Sequence, residues 1–222
     1  MIPWEENFPK GFGHTNIAYL KRCTGYEDAK NGDMCSARFV VSQCVKRSRI
    51  MALRERYPDA ILLPVVGRNK LPMALAEEIG LPVWDSVTLL QKLTRKHLCA
   101  IERFMHKPLF TGYIRRDAKY ILVDDVITQG GTISALRELV LIQGGKVVAV
   151  VALAFAIGSH AVAPLGKHKI GLFLKFGFKL PCILRNYEIA EDVEELTNSQ
   201  MKYLLRFSSA GNIERKMEGI FR

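Results

Sequence analysis

The chain has 222 residues, 49% of them hydrophobic, and a formal net charge of +10 at pH 7. That length allows one α/β core with an appendage, and the apolar content excludes a disordered polar chain. The longest apolar run, residues 147–157, is shorter than the roughly 18 residues that span a bilayer, and the N-terminus lacks the layout of a signal peptide. A soluble, cytoplasmic protein with no membrane partner is therefore expected. Five scattered cysteines, without a Cys-x-x-Cys or a nearby His pair, exclude a zinc module and are read as reduced.

Residues 1–35 are rich in Gly, Asn and aromatics and show no clear period, so they are expected to lie peripherally, over a site or a subunit contact. Residues 36–57 read as one helix, with Phe39, Val40, Cys44 and Met51 interrupted by Lys46, Arg47, Arg49, Arg54 and Arg56. Its basic stripe is read first as a solvent face, with a dimer or RNA contact as the alternative. A strand at residues 61–66 runs into the loop 67–70. A helix at 72–79 follows, with Pro72 near its start and Gly80 past its end. Further strands are expected at 81–84 and 110–114, with a helical or irregular stretch at 87–104 between them.

The segment 91–119 carries eight basic residues against two acids. Lys92, Arg95, Lys96, Arg103, Lys107, Arg115, Arg116 and Lys119 thus concentrate charge just before the most informative stretch. There Ile121, Leu122 and Val123 form the apolar run of a buried parallel strand, and Asp124 and Asp125 fall where such a strand would end. Ile133, Leu136, Val140 and Leu141 then recur at helical spacing up to the stop at Gly144-Gly145. Between strand and helix, the amides of Gln129 to Thr132 would converge where a helix N-terminus favours an anion. Residues 147–155 read as the next strand and 170–176 as another. Thr197-Asn-Ser-Gln200 has capping-box spacing and opens a helix, and a last short helix starts at Asn212. His160 and His168 are read as ordinary surface histidines.

Asp124, Asp125, Thr128, Gly130 and Thr132, in that order after an apolar strand, resemble the signature of the type I phosphoribosyltransferases. Gln129 stands where members often carry Thr or Ala, which a backbone-mediated contact tolerates. Thr128 stands where the 6-oxopurine branch usually carries an Asp, which disfavours hypoxanthine or guanine salvage. No Gly-x-x-x-x-Gly-Lys-Ser/Thr and no helix-opening Gly-x-Gly-x-x-Gly competes.

The resemblance implies an α/β fold, a mainly parallel, Rossmann-like sheet flanked by helices. It implies a single domain over residues 1–222, with a core at about 58–160 and a variable hood from residues 1–57 and 170–222. It also implies a phosphoribosyltransferase that transfers the 5-phosphoribosyl group of phosphoribosyl pyrophosphate (PRPP) to a nitrogen acceptor and releases pyrophosphate. Val126, Ile127, Thr128, Gln129, Gly130, Gly131 and Thr132 would hold the 5-phosphate. Val66, Gly67, Arg68, Asn69 and Lys70 would hold the pyrophosphate, although the same pattern also suits an ordinary strand-to-helix turn. Asp124 and Asp125 would face the ribose and hold Mg²⁺ through water, and Arg103 or Lys107 would neutralise the leaving group. A homodimer is expected. The alternatives are a catalytically silent PRPP-binding regulator that binds nucleic acid, and a competence- or mobile-element-associated relative with an undefined substrate. Phe8, Phe12, Tyr19, Phe176 and Phe178 could stack on a base and are read first as packing residues.

Overall fold

The computed structural model describes residues 4–5, 8–90, 98–106, 108–156 and 161–220. Lys92, Arg95, Lys96, Lys107 and His160 lie outside the described residues. Within them, β1 (Phe12–Thr15), β2 (Ile61–Pro64), β5 (Lys119–Ile127) and β6 (Lys146–Phe155) form an all-parallel sheet in the order β1-β6-β5-β2. A separate antiparallel ribbon pairs β3 (Val87–Leu89) with β4 (Phe110–Gly112).

Among the described residues the α-helices fall into three groups. On one side lie α1 (Ile17–Arg22), α2 (Tyr26–Asn31), α3 (Met34–Cys44), α4 (Arg47–Arg56) and α5 (Leu71–Ile79). The helix α7 (Gly131–Ile142) covers the other face. A third group comprises α6 (Ala100–Met105), α8 (Gly166–Phe176), α9 (Lys179–Asn186), α10 (Asn198–Leu204) and α11 (Ala210–Glu218), which share their own apolar cluster.

Side-chain alternation along β5 explains why the sheet is covered on both faces. Ile121 and Val123 enter the cluster under α3 and α5, whereas Tyr120 and Leu122 join Ile133, Leu136 and Val140 of α7. Each face therefore needs its own helices. Buried Cys23 and Cys44 stand side by side in the first cluster with their Sγ atoms 3.5 Å apart, and all five cysteines are free.

Several expectations are corrected. Residues 12–44, expected in the peripheral segment 1–57, contribute to the core: Phe12–Thr15 adds an edge strand to the sheet, and Leu20, Ala29, Ala37 and Val40 belong to its cluster. The helix expected over 36–57 is two helices, because Val45 leaves helical geometry with ψ 137° and the Lys46 N–H is taken by His14 Nδ1 at 3.2 Å. The strand expected at 81–84 reduces to one parallel bridge between Leu62 and Val83, since Pro82 has no N–H to extend a ladder. Residues 170–176 are helical rather than extended. Leu172 and Phe176, four apart, both turn into the third cluster, which an alternating strand would also permit but a helix buries against α10. Of the stretch expected at 87–104 to be helical or irregular, residues 87–89 form β3 and residues 100–104 are helical in α6, while 91–97 lie outside the described residues.

Candidate active site

The site is built where β5 and β2 end. Asp124 and Asp125 are both buried near the C-terminal end of β5, which continues through Val126 and Ile127. Those two residues therefore extend the strand rather than beginning the loop. The loop proper is Thr128 to Gly130, and Gly130 adopts the left-handed conformation at φ 77°. Glycine is required there on conformational grounds and also because a Cβ would press on Thr197 Cγ2 at 3.1 Å. The helix α7 starts at Gly131 with no side-chain cap, at the edge of the cavity, where a helix N-terminus favours an anion.

One cavity of about 780 Å³ collects the expected pieces. Its walls include Asp124, Asp125, every residue from Val126 to Thr132, the stretch Val66 to Asn69, and Arg103. Lys70 is the exception. It stands at the start of α5 with its ammonium 3.5 Å from the Gly67 carbonyl and does not line the cavity. Gly67 has nothing within 4 Å of an added Cβ, so nothing in the protein itself calls for glycine there. Arg103 reaches the cavity from α6 while its Nε donates to the Leu98 carbonyl at 2.9 Å.

The structure adds a residue that the sequence did not mark. Lys30, from α2, places its ammonium 2.8 Å from Asp125 Oδ2. The same helix is fastened to the second loop: the Lys70 N–H donates to the Ala29 carbonyl at 3.0 Å, and Arg68 Nε donates to the Asn31 carbonyl at 3.1 Å. Thus one short helix ties the acids to the 67–70 loop. Lys21, Tyr26 and Glu27 complete that wall. A lone lysine among Gly and Asn residues carries no periodic signal, so only the tertiary structure could place it.

Electrostatics follow from burial. The Asp124 carboxyl is raised well above the usual carboxylate range, first by burial and then by the Asp125 charge beside it. Its Oδ1 accepts the Asp125 N–H at 2.9 Å, which partly offsets the rise. Burial disfavours the charge of Lys30, but the adjacent Asp125 more than compensates, and its pKa lies above the ordinary lysine value.

The first loop is also braced from outside the sheet. The Thr197 hydroxyl donates to the Gln129 carbonyl, and Gln129 Nε2 donates to the Ala100 carbonyl at 3.2 Å. The Gln129 carbonyl is thereby held in place, and Gly130 to Thr132, which follow it, line the cavity. Thr197 is itself the N-cap of α10, in a reciprocal capping box with Gln200. The capping box was legible in the sequence; its hold on the loop was not.

No family model matches the chain. Protein TraN of Escherichia coli is 29% identical over 186 residues, covering 79% of this chain and 41% of that protein. An uncharacterised protein of Haemophilus influenzae is 28% identical over 149 residues, covering 62% of this chain and 33% of its own length. The chain therefore spans less than half the length of these curated relatives. Among solved structures, an adenine phosphoribosyltransferase of Rhodothermus marinus is 24% identical, covers 50% of this chain and 68% of its own, and has a TM-score of 0.37. A purine phosphoribosyltransferase of Pyrococcus horikoshii is 23% identical, with coverage of 48% and 69% and a TM-score of 0.33. The UMP synthase of Leishmania donovani is 13% identical, with coverage of 87% and 38% and a TM-score of 0.38. In the ordered acids and Gly/Thr loop, and in the parallel sheet that presents them above one cavity, the chain resembles the type I phosphoribosyltransferases.

Proposed function

We propose that this protein binds Mg²⁺ and PRPP and transfers the 5-phosphoribosyl group to a nitrogen acceptor, a nucleobase or related small molecule, with release of pyrophosphate. One observation carries the reading: two acids and two strand-to-helix loops, far apart in sequence, line the same cavity. The amides of Gln129 to Thr132 hold the 5-phosphate, and Val66 to Asn69 receive the pyrophosphate. Asp124 and Asp125 accept hydrogen bonds from the ribose hydroxyls. As pyrophosphate departs, positive charge develops at the anomeric carbon, and the acids stabilise it while Arg103 and Arg68 face the leaving group.

The residues fit Mg²⁺. Asp124 and Asp125 both line the cavity with carboxylate oxygens, the donor type this ion prefers, and no cluster of three or more potential His, Cys, Asp or Glu ligands gathers among the described residues. Two carboxylates sharing a hydrated ion with substrate phosphates suit magnesium better than a dedicated cage would. Bound there, the ion would offset charge on the pyrophosphate oxygens.

The test is pyrophosphate release from Mg·PRPP across a panel of nucleobases. Replacing Asp124 and Asp125 together with Asn is expected to lower turnover by about 100- to 1000-fold or more. Turnover that survives the double substitution refutes the mechanism. A second reading, a PRPP-responsive regulator that binds nucleic acid, is favoured by a separate cavity of about 660 Å³ lined by Lys10, Arg49 and Arg56. Salt-sensitive oligonucleotide binding without turnover would select it.

A further inference from the structure

Because residues 170–176 form a helix, their apolar side chains divide between two faces. Leu172 and Phe176 enter the third core cluster. Ile170, Phe173 and Leu174, spaced to share the opposite face, are 61%, 57% and 79% exposed. Phe178, 79% exposed, meets Phe173 edge-on with ring centroids 5.6 Å apart. Scattered exposed apolar residues are ordinary, but four large ones in a continuous ridge mark a docking surface.

Along the segment that carries the ridge the charge is of one sign, and an acid that meets it is Glu194, from the stretch that follows. Residues 164–187 contain Lys167, Lys169, Lys175, Lys179 and Arg185 and no Asp or Glu. Lys169 is spent on Glu194 at 3.2 Å, and Lys175 donates to the Leu205 carbonyl at 2.8 Å. Lys167 and Lys179, one near each end of the ridge, are exposed and meet no carboxylate among the described residues. The ridge lines neither of the two cavities described above.

We infer that the ridge formed by Ile170, Phe173, Leu174 and Phe178 docks the protein onto an anionic lipid bilayer, with Lys167 and Lys179 on the headgroup phosphates. A projecting apolar ridge flanked by lysines suits the boundary between headgroups and acyl chains, where both kinds of side chain are satisfied together. A second copy is a poorer occupant, since a two-fold contact through this ridge brings like charges together. The helix α8 has 11 residues, and no helix among the described residues is long and apolar enough to cross a membrane. The contact is thus with the surface. Hydropathy windows register spanning segments, which is why the sequence led to the expectation of no membrane partner.

Vesicle flotation tests the assignment, using phosphatidylcholine vesicles with and without phosphatidylglycerol at several salt concentrations. The expected result is binding to the anionic vesicles that weakens with salt. A loss of about 10-fold or more is expected for the pair Phe173→Ser and Phe178→Ser, and separately for the pair Lys167→Glu and Lys179→Glu. All four positions are exposed, so the fold should persist, and circular dichroism checks this. The inference is overturned if the wild-type protein does not float with anionic vesicles, or if neither pair of substitutions reduces binding. It is equally overturned if the phenylalanine pair instead abolishes a concentration-dependent dimer that anionic vesicles fail to displace.

Discussion

Replacing Lys30 with Met removes one charge from a contact that holds the acids of the site. The ammonium and the Asp125 carboxylate are 2.8 Å apart, with side chains only 24% and 8% exposed, so solvent screens the pair weakly. At an effective dielectric of about 20, that separation corresponds to roughly 6 kcal/mol of gross attraction. Desolvation cancels much of it in the intact pair, but removing one partner leaves the other charge buried and uncompensated, which typically costs about 3–5 kcal/mol. Here the penalty falls on two neighbouring acids, and Asp124 is already inclined to hold a proton. The folded variant should therefore take up a proton more readily than the unfolded chain. Its deficit should be small at acidic pH and grow as pH rises toward neutrality. Urea unfolding of the wild type, Lys30→Met, Asp125→Asn and the double variant, at pH 5 and pH 8, reads this directly. The double variant should regain most of the stability lost by Lys30→Met. A loss below about 1 kcal/mol at pH 8, the range of exposed pairs, or no recovery on adding Asp125→Asn, would refute the reasoning.

Three further outcomes are expected. Thr197→Val keeps the shape against Gly130 but removes the donor to the Gln129 carbonyl and the cap of α10, so stability should fall by about 1–2 kcal/mol and the KM for PRPP should rise; Thr197→Ser should restore both. An unchanged KM alongside reduced stability would confine Thr197 to capping. Asp124→Asn removes a buried carboxyl that is costly to ionise, so at alkaline pH, where the wild type must carry that charge, the variant should melt at a higher temperature, by about 2–4 °C for each kcal/mol relieved, while turnover is lost; a lower melting point there in differential scanning calorimetry would contradict this. His14 is lowered from 6.5 to about 4, chiefly by burial and then by Arg49 and Lys46. The unfolded chain therefore binds the proton first, and stability should fall as pH drops from 6.5 toward 4, by at most about 3 kcal/mol. His14→Asn, which can still accept the Lys46 N–H, should remove that dependence in denaturation curves taken across the window.

What could be read from the sequence was local. The stretch 119–142 announces itself because a long apolar run, two acids, a glycine pair and helical spacing all occur within a few turns of chain. The helix α5, with Pro72 near its start and Gly80 after it, and the cap at Thr197, were legible for the same reason. β1 was not, since four residues containing a glycine and a histidine show no period and become a strand only by pairing with β6. Residues 170–176 were ambiguous because an unbroken apolar run fits either element, and burial of Leu172 and Phe176 against α10 decided between them. The break at Val45 has neither proline nor glycine, and its cause is a histidine 31 residues upstream. For the same reason Lys30 went unmarked: its partner is 95 residues away.

The link from Thr197 to Gln129 bears on how such a protein can diversify. The strand and loop that carry the motif do not stand alone, since the carbonyl that shapes the loop is tethered to a helical group with no motif of its own. A lineage that exchanged this group for another would have to reinvent a hydrogen-bond donor at the same point or leave the loop that lines the cavity without its brace. Inheritance of the motif and inheritance of the appendage are mechanically coupled, through the Thr197 hydroxyl and the Gln129 side-chain amide.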